Sequence, residues 1–256
     1  MLILALFLAA ISTQYIQGAT MSGGKTLYLI RHAESYENKL IHSFKTLIGV
    51  FPKDPSSPRE PLLPLLGILN VPYLIDCPLS PAGVVQTENL QSWSSSTSFL
   101  PSLSSKSPVL IVHSPLQRAR RTCLAATGYV TPSSRNNSED PTLNGSNPGL
   151  PNVRVEESQL MIEKTPIEWL PGLGGRLDTR LTDFKDWVSN VPEDTVVVVG
   201  HSQWFKKLLG MSFKFDNCDV WKVEVDGEGG WGGASRLYKG NEVEEVVVEK
   251  EGVEEK

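Results

Sequence analysis

The sequence predicts one α/β domain built on a mostly parallel sheet, and three observations carry that expectation. The runs LYLI at 27–30, VLIV at 109–112 and VVVV at 196–199 are apolar throughout rather than alternating. Strands buried on both faces of a parallel sheet have that pattern. Stretches with helix start signals lie between these runs. The chain has 256 residues, without internal repeats or a linker separating two cores, a length that suits one full-sized domain.

Taken in order, strands are expected at 26–30, 109–112, 152–155, 195–199 and 220–225. Ser80-Pro81 and Ser114-Pro115 each place a capping hydroxyl before a proline at the first helical position. Leu177, Leu181, Phe184 and Val188 recur at helical spacing, so a helix over 176–189 buries that stripe. Two stretches read as loop insertions. One is 48–78, with Pro and Leu mixed, and the other is 131–151, rich in Asn, Ser and Pro.

The ends differ from the body. Residues 1–20 carry no charged side chain, and 2–11 is a continuous apolar run. Ten helical residues span about 15 Å, half a bilayer core, so no stable membrane span is expected. The run has the length of a signal-peptide core, followed by the small pair Gly18-Ala19, yet no Lys or Arg precedes it. Met21 offers a second start. Translation from Met1 implies the secretory pathway, and a start at Met21 implies the cytoplasm. Sequons at Asn136 and Asn144 suit the first alternative. The expected organisation is therefore 1–20 as a leader or upstream start, 21–240 as the folded domain and 241–256 as an acidic tail. That tail is expected to be solvated, with Val246, Val247 and Val248 as an alternative edge strand.

Charge and cysteine content exclude several classes. The net charge of −5 resides entirely in 241–256, and the remainder carries 22 acidic and 22 basic groups. A neutral body offers no excess cation for phosphate neutralisation, so a nucleic-acid partner is not expected. Cys77, Cys123 and Cys218 form no CxxC pair and no disulfide framework, so structural zinc is not expected.

Four histidines are present, at 32, 42, 113 and 201. His32 follows the strand TLYLI, beside Arg31, and His201 follows the strand TVVVV, before Ser202. A third strand, PVLIV, ends in HSPLQRARR, which delivers Arg118 to the same edge. Residues just beyond the carboxyl ends of parallel strands line the ligand crevice. Two Arg and two His converging there suit a phosphate dianion, since Arg donates bidentately to phosphate oxygens and neutral imidazole can attack phosphorus. His113 is expected to border this pocket without catalysing, and His42 to lie on the surface. Trp187 and Trp204 are expected to pack rather than stack on a substrate.

LYLIRHAESYEN, SPLQRARRT and VVVVGHSQ resemble, in order and spacing, the histidine phosphatase superfamily that includes the phosphoglycerate mutases. Leu79-Ser80-Pro81-Ala82-Gly83 and Asn217-Cys218 are similar to lesser landmarks of it. The resemblance covers about 25 to 225, and among the branches it is nearest to the phosphoglycerate-mutase-like phosphatases of plants and algae. It implies a three-layer α/β/α sandwich and a phosphohistidine mechanism without cofactor or metal. His32 matches the nucleophile, and Arg31, Arg118 and His201 match the phosphate pocket. Asn38 matches the Asn of the pattern RHGESxxN, in which Ala33 replaces Gly, and Ser202 adjoins the pocket. Glu163 is the best match to the proton donor, with Glu156 and Glu157 as rivals. The implied substrate is a small phosphate ester, its recognition surface falling in 39–78 and 131–175.

Competing chemistries fit less well. An α/β-hydrolase needs Gly where Trp204 stands, and a His after its nucleophile, whereas none follows Ser202. The three cysteines lack the flanking Arg of a cysteine phosphatase, and no Walker loop is present. Glycolytic mutases carry Glu-Arg-His-Tyr-Gly around the acid. Here the chain reads Glu163-Lys164-Thr165, so a phosphomonoester hydrolase is expected ahead of the two alternatives, a mutase-type phosphotransferase and a non-catalytic phosphate binder.

Overall fold

In a computed structural model, residues 24–36, 76–131, 152–163 and 175–240 are described. The elements are β1 (Lys25–Arg31), α1 (Pro81–Ser96), α2 (Phe99–Ser104), β2 (Val109–His113), α3 (Gln117–Thr127), β3 (Val153–Glu157), α4 (Gly175–Asn190), β4 (Thr195–Gly200), α5 (Ser202–Leu208), β5 (Val220–Val225) and β6 (Trp231–Tyr238). One six-stranded sheet runs in the order β3-β2-β4-β1-β5-β6. The pairs β3–β2, β2–β4 and β4–β1 are parallel, and β5 and β6 complete the sheet antiparallel.

Both sheet faces are covered, which is why the central strands β2 and β4 carry no polar alternation. On one face Leu27, Leu29, Leu110 and Val198 pack with Phe184 of α4 and Trp204 of α5. On the other, Val109, Ile111, Val197 and Val199 meet Leu90 of α1 and Cys123 of α3. The result is the expected three-layer sandwich. The stripe Leu177, Leu181, Phe184 and Val188 is buried as its spacing predicts. Trp204 is fully buried with its indole Nε1 donating to the Leu160 carbonyl at 3.0 Å, and Trp187 packs at the cluster's edge.

Local signals hold in one place and fail in another. The Ser80 hydroxyl caps α1, accepting from Gly83 N at 3.1 Å, with Pro81 at the helix start. Ser114-Pro115 does not open a helix: α3 starts at Gln117, and the Ser114 hydroxyl is drawn instead to His201. β6 was not expected, because Trp-Gly-Gly-Ala-Ser has no strand-like alternation. It pairs with β5 through a turn in which Asp226 Oδ1 accepts from Glu228 N and Gly230 N, and Gly229 takes a φ of 80°.

No helix among the described residues is long and apolar enough to cross a membrane. The expectations for 1–20, Asn38, His42, the two sequons, most of both loop insertions and the acidic tail lie outside the described residues.

Gly83 sets the seat of the loop that follows β1. A Cβ there would stand 2.0 Å from the Glu34 carbonyl oxygen, a backbone atom that cannot swing away. Ser80 fixes the same contact from the other side, its N donating to Glu34 O at 3.0 Å and its hydroxyl to Glu34 Oε1 at 2.5 Å. Gly83→Ala should therefore cost at least the ~1–3 kcal/mol typical of overpacking. Urea unfolding of the variant checks this, and an unchanged midpoint would contradict the contact.

Candidate active site

Parallel register brings three strand ends together. Arg31 pairs with Gly200 across β1–β4, and His113 with Val199 across β2–β4. His32 N donates to the Gly200 carbonyl at 2.9 Å and Ser114 N to the Val199 carbonyl at 3.0 Å, so residues 32, 114 and 201 leave the sheet side by side. The segment after β1 is clamped from two directions. Ala33 N donates to the Thr122 hydroxyl of α3, which donates in turn to the Arg118 carbonyl. Asn217 Nδ2 donates to the His32 carbonyl at 3.0 Å, and Cys218 N to the Arg31 carbonyl.

His32 is 1% exposed, and its Nδ1 lies 2.6 Å from the Ala33 carbonyl oxygen. A carbonyl only accepts, so Nδ1 carries the proton and Nε2 presents its lone pair. Burial, then the Arg118 guanidinium and the neighbouring His201, hold the basicity of His32 well below the ordinary histidine range. A neutral imidazole with a free Nε2 at neutral pH is the form that acts as a nucleophile.

Arg118 and Glu163 form the charged centre. Arg118 Nη2 lies 2.7 Å from Glu163 Oε2, with Arg118 buried and the glutamate side chain 21% exposed. His201 Nδ1 stands 3.3 Å from the same oxygen, within ion-pair range but outside hydrogen-bond geometry. Its other nitrogen, Nε2, lies 2.9 Å from the Ser114 hydroxyl. The rings of His32 and His201 are 5.0 Å apart between centroids. Burial opposes a charge on Glu163, yet His201, Arg118 and His32 together outweigh it and hold the carboxyl well below the usual carboxylate range. Burial lowers the basicity of His201 as well, against the pull of Glu163.

Arg31 supplies the second guanidinium. Its Nη1 donates to the Phe215 carbonyl at 2.6 Å, while Nε is buried without a hydrogen-bond partner among the described residues. Burial works against the Arg31 charge, and Glu163, Asp216 and Asp219 support it. The Asp219 carboxylate is occupied elsewhere, accepting from Asp216 N, Trp221 Nε1 and Gly240 N. Two guanidinium groups, two neutral imidazoles and one carboxylate thus share a nearly sealed space. One ligand atom from each of His32, Glu163 and His201 lies within 4.8 Å of the others, so these three could hold a metal ion.

The remaining candidates fall outside this cluster. Glu157 pairs with Arg120 at 2.7 Å, and Glu156 pairs with Arg154. His113 is buried with both nitrogens engaged, Nδ1 donating to the Ser114 carbonyl at 3.0 Å and Nε2 meeting Thr131 N and Oγ1. Ser202 is the buried first residue of α5. Sequence reasoning passed over Ser114 and Thr122. Ser114 had a visible signal, since it follows β2 directly just as His32 follows β1.

No family profile and no curated protein sequence matches the chain. Solved structures do resemble it. A candidate alpha-ribazole-5′-P phosphatase from Escherichia coli superposes with a TM-score of 0.44 at 16% identity, covering 83% of this chain and 94% of that one. A phosphoserine phosphatase from Entamoeba histolytica, in complex with 3-phosphoglyceric acid, gives 0.41 at 16% identity over 83% and 95%. A mycobacterial glucosyl-3-phosphoglycerate phosphatase gives 0.40 at 16% identity over 78% and 92%.

The buried histidines make the fold sensitive to acid. His32, His113 and His201 all have folded pKa values below their unfolded ones. As pH falls through about 6.5 the unfolded chain takes up protons that the folded chain refuses, so stability falls. The depressed carboxyl of Glu163 acts in the same direction at lower pH, losing its contribution as pH drops through its folded value. The urea midpoint should decrease steadily from pH 7 to 5, less steeply in His201→Asn. A flat or rising profile would contradict neutral burial.

Proposed function

We propose that the chain is a phosphomonoester hydrolase that acts through a phosphohistidine at His32 on a small phosphorylated metabolite. The observation that supports this most strongly is the 2.6 Å contact between His32 Nδ1 and the Ala33 carbonyl, which leaves the Nε2 lone pair for phosphorus. In this account the phosphate dianion enters between Arg31 and Arg118, and Nε2 attacks phosphorus in line as the bond to the leaving oxygen breaks. A loose phosphoryl transition state spreads charge over its non-bridging oxygens, and fixed cations stabilise that charge without a metal. Arg31 and Arg118 are the proposed cations and His201 a proposed donor, with Asn38 and Ser202 as further substrate contacts.

Glu163 is the proposed proton donor, and its ground state looks wrong for that role because His201 and Arg118 keep it ionised. Substrate binding resolves the conflict. An incoming dianion competes for Arg118 and adds negative charge beside the carboxylate, and both effects raise its pKa. Glu163 then gains a proton, delivers it to the leaving alkoxide, and afterwards accepts one from the water that hydrolyses the phosphohistidine.

Trapping the intermediate tests the first step. An N-linked phosphoryl group is labile in acid and stable in base, so enzyme quenched during turnover of labelled substrate should carry base-stable label on the His32 peptide. Label on a serine would overturn the assignment. His32→Ala should abolish turnover with the fold retained, and Arg118→Ala should lower kcat by at least ~10²–10³. Turnover of p-nitrophenyl phosphate should persist in excess EDTA, and a loss reversed by added metal would contradict the mechanism.

The acid role has a separate signature. Glu163→Gln should spare p-nitrophenyl phosphate, whose leaving group needs no proton, and slow alkyl phosphates far more. Equal losses on both substrate types would move the acid to another residue.

A further inference from the structure

We propose that His32, His201 and Glu163 form a binding site for a divalent ion of the Zn²⁺ class, and that filling it silences the nucleophile. The coordination part of this proposal stands on geometry alone, and only the silencing rests on the phosphatase reading above.

One ligand atom from each of the three side chains lies within 4.8 Å of the others, a spread that small side-chain rotations can close around one ion. The two imidazoles are held as metal-binding imidazoles usually are, with one nitrogen fixed by a protein oxygen and the other free. His32 Nδ1 is fixed by the Ala33 carbonyl, which leaves Nε2. His201 Nε2 is fixed by the Ser114 hydroxyl, which leaves Nδ1. That Nδ1 is fully buried, 3.3 Å from Glu163 Oε2 and without a hydrogen bond of acceptable geometry among the described residues. Ser114 suits either state. Its hydroxyl can donate to Nε2 when Nδ1 carries the proton, or accept from Nε2–H when Nδ1 binds a metal.

Ligand type decides the ion. Two imidazole nitrogens and one carboxylate suit Zn²⁺ or Co²⁺, whereas Mg²⁺ and Ca²⁺ require oxygen-rich shells. Arg118 and Arg31 raise the cost of a dication here and favour an anion, such as hydroxide, in the open fourth position. Glu163 can serve both neighbours, since each carboxylate oxygen carries two lone pairs. A metal on His32 Nε2 occupies the lone pair that phosphoryl transfer needs, so the ion would inhibit rather than assist.

Cobalt reports the site without reference to turnover. Purified, untagged protein titrated with Co²⁺ should bind one ion per chain and develop visible absorption bands of a low-coordinate nitrogen and oxygen site. Zn²⁺ should bleach these bands, and a large excess of Mg²⁺ should not. His32→Ala, His201→Ala and Glu163→Ala should each weaken binding by at least about tenfold, and His42→Ala should leave it unchanged. Nitrogen NMR of the imidazoles in the unaltered protein covers the case in which a variant fails to fold. Of the four histidines, Zn²⁺ should shift the ring nitrogens of His32 and His201. Binding that moves only His42, or none of the four, would overturn the site. Zn²⁺ should also suppress phosphatase turnover, with recovery on chelation. Cobalt binding in a protein without turnover would sink the phosphatase proposal and leave the site standing. Turnover unaffected by bound Zn²⁺ would overturn the silencing.

Discussion

The need to place Arg118 in a buried position is the constraint on which the site depends. A guanidinium taken out of water costs several kcal/mol unless an anion and hydrogen bonds compensate it. Glu163 supplies that anion, 2.7 Å away, and His201 approaches the same oxygen. The carboxylate comes from the segment just after β3, the guanidinium from α3 after β2, and the imidazole from the end of β4. The pair exists only because parallel register brings those ends to one edge of the sheet. The same charges then act on His32, which stays neutral because it is buried and because Arg118 and His201 oppose its protonation.

Rigidity at this edge has identifiable sources. The Thr122 hydroxyl ties the post-β1 segment to α3, Asn217 holds the His32 carbonyl from the β5 side, and Gly83 lets α1 approach Glu34 closely. The His32 tautomer follows from backbone geometry rather than from another side chain, since the Ala33 carbonyl can only accept. Preorganised charge of this kind is worth more than charge that must move into place during reaction.

The central strands were legible because burial on both faces writes itself as an unbroken apolar run, as in VLIV and VVVV. His32, Arg31 and His201 were legible for the related reason that each sits at or just past the end of such a run. β6 was not, because an edge strand gains its pairing from its neighbour and needs no apolar alternation of its own. Ser114-Pro115 has the local form of a helix start, yet the hydroxyl meets His201, a partner 87 residues away. The resemblance favoured Glu163 over Glu156 and Glu157, but the sequence held no physical reason for that order. Their difference lies in the register of β3 against β2, which sends Glu157 to Arg120 and leaves the next turn to carry Glu163 to Arg118.

If Glu163 is the resident counter-ion of Arg118, then a phosphate dianion must displace it, and the displaced carboxylate must take up a proton. Calorimetric titration of inorganic phosphate tests this directly, performed where free phosphate is dianionic and repeated in buffers of different ionisation enthalpy. Close to one proton should be absorbed per phosphate bound, and the uptake should vanish in Glu163→Gln while phosphate still binds. Binding without proton exchange, or uptake that survives in Glu163→Gln, would contradict the exchange of counter-ions at Arg118.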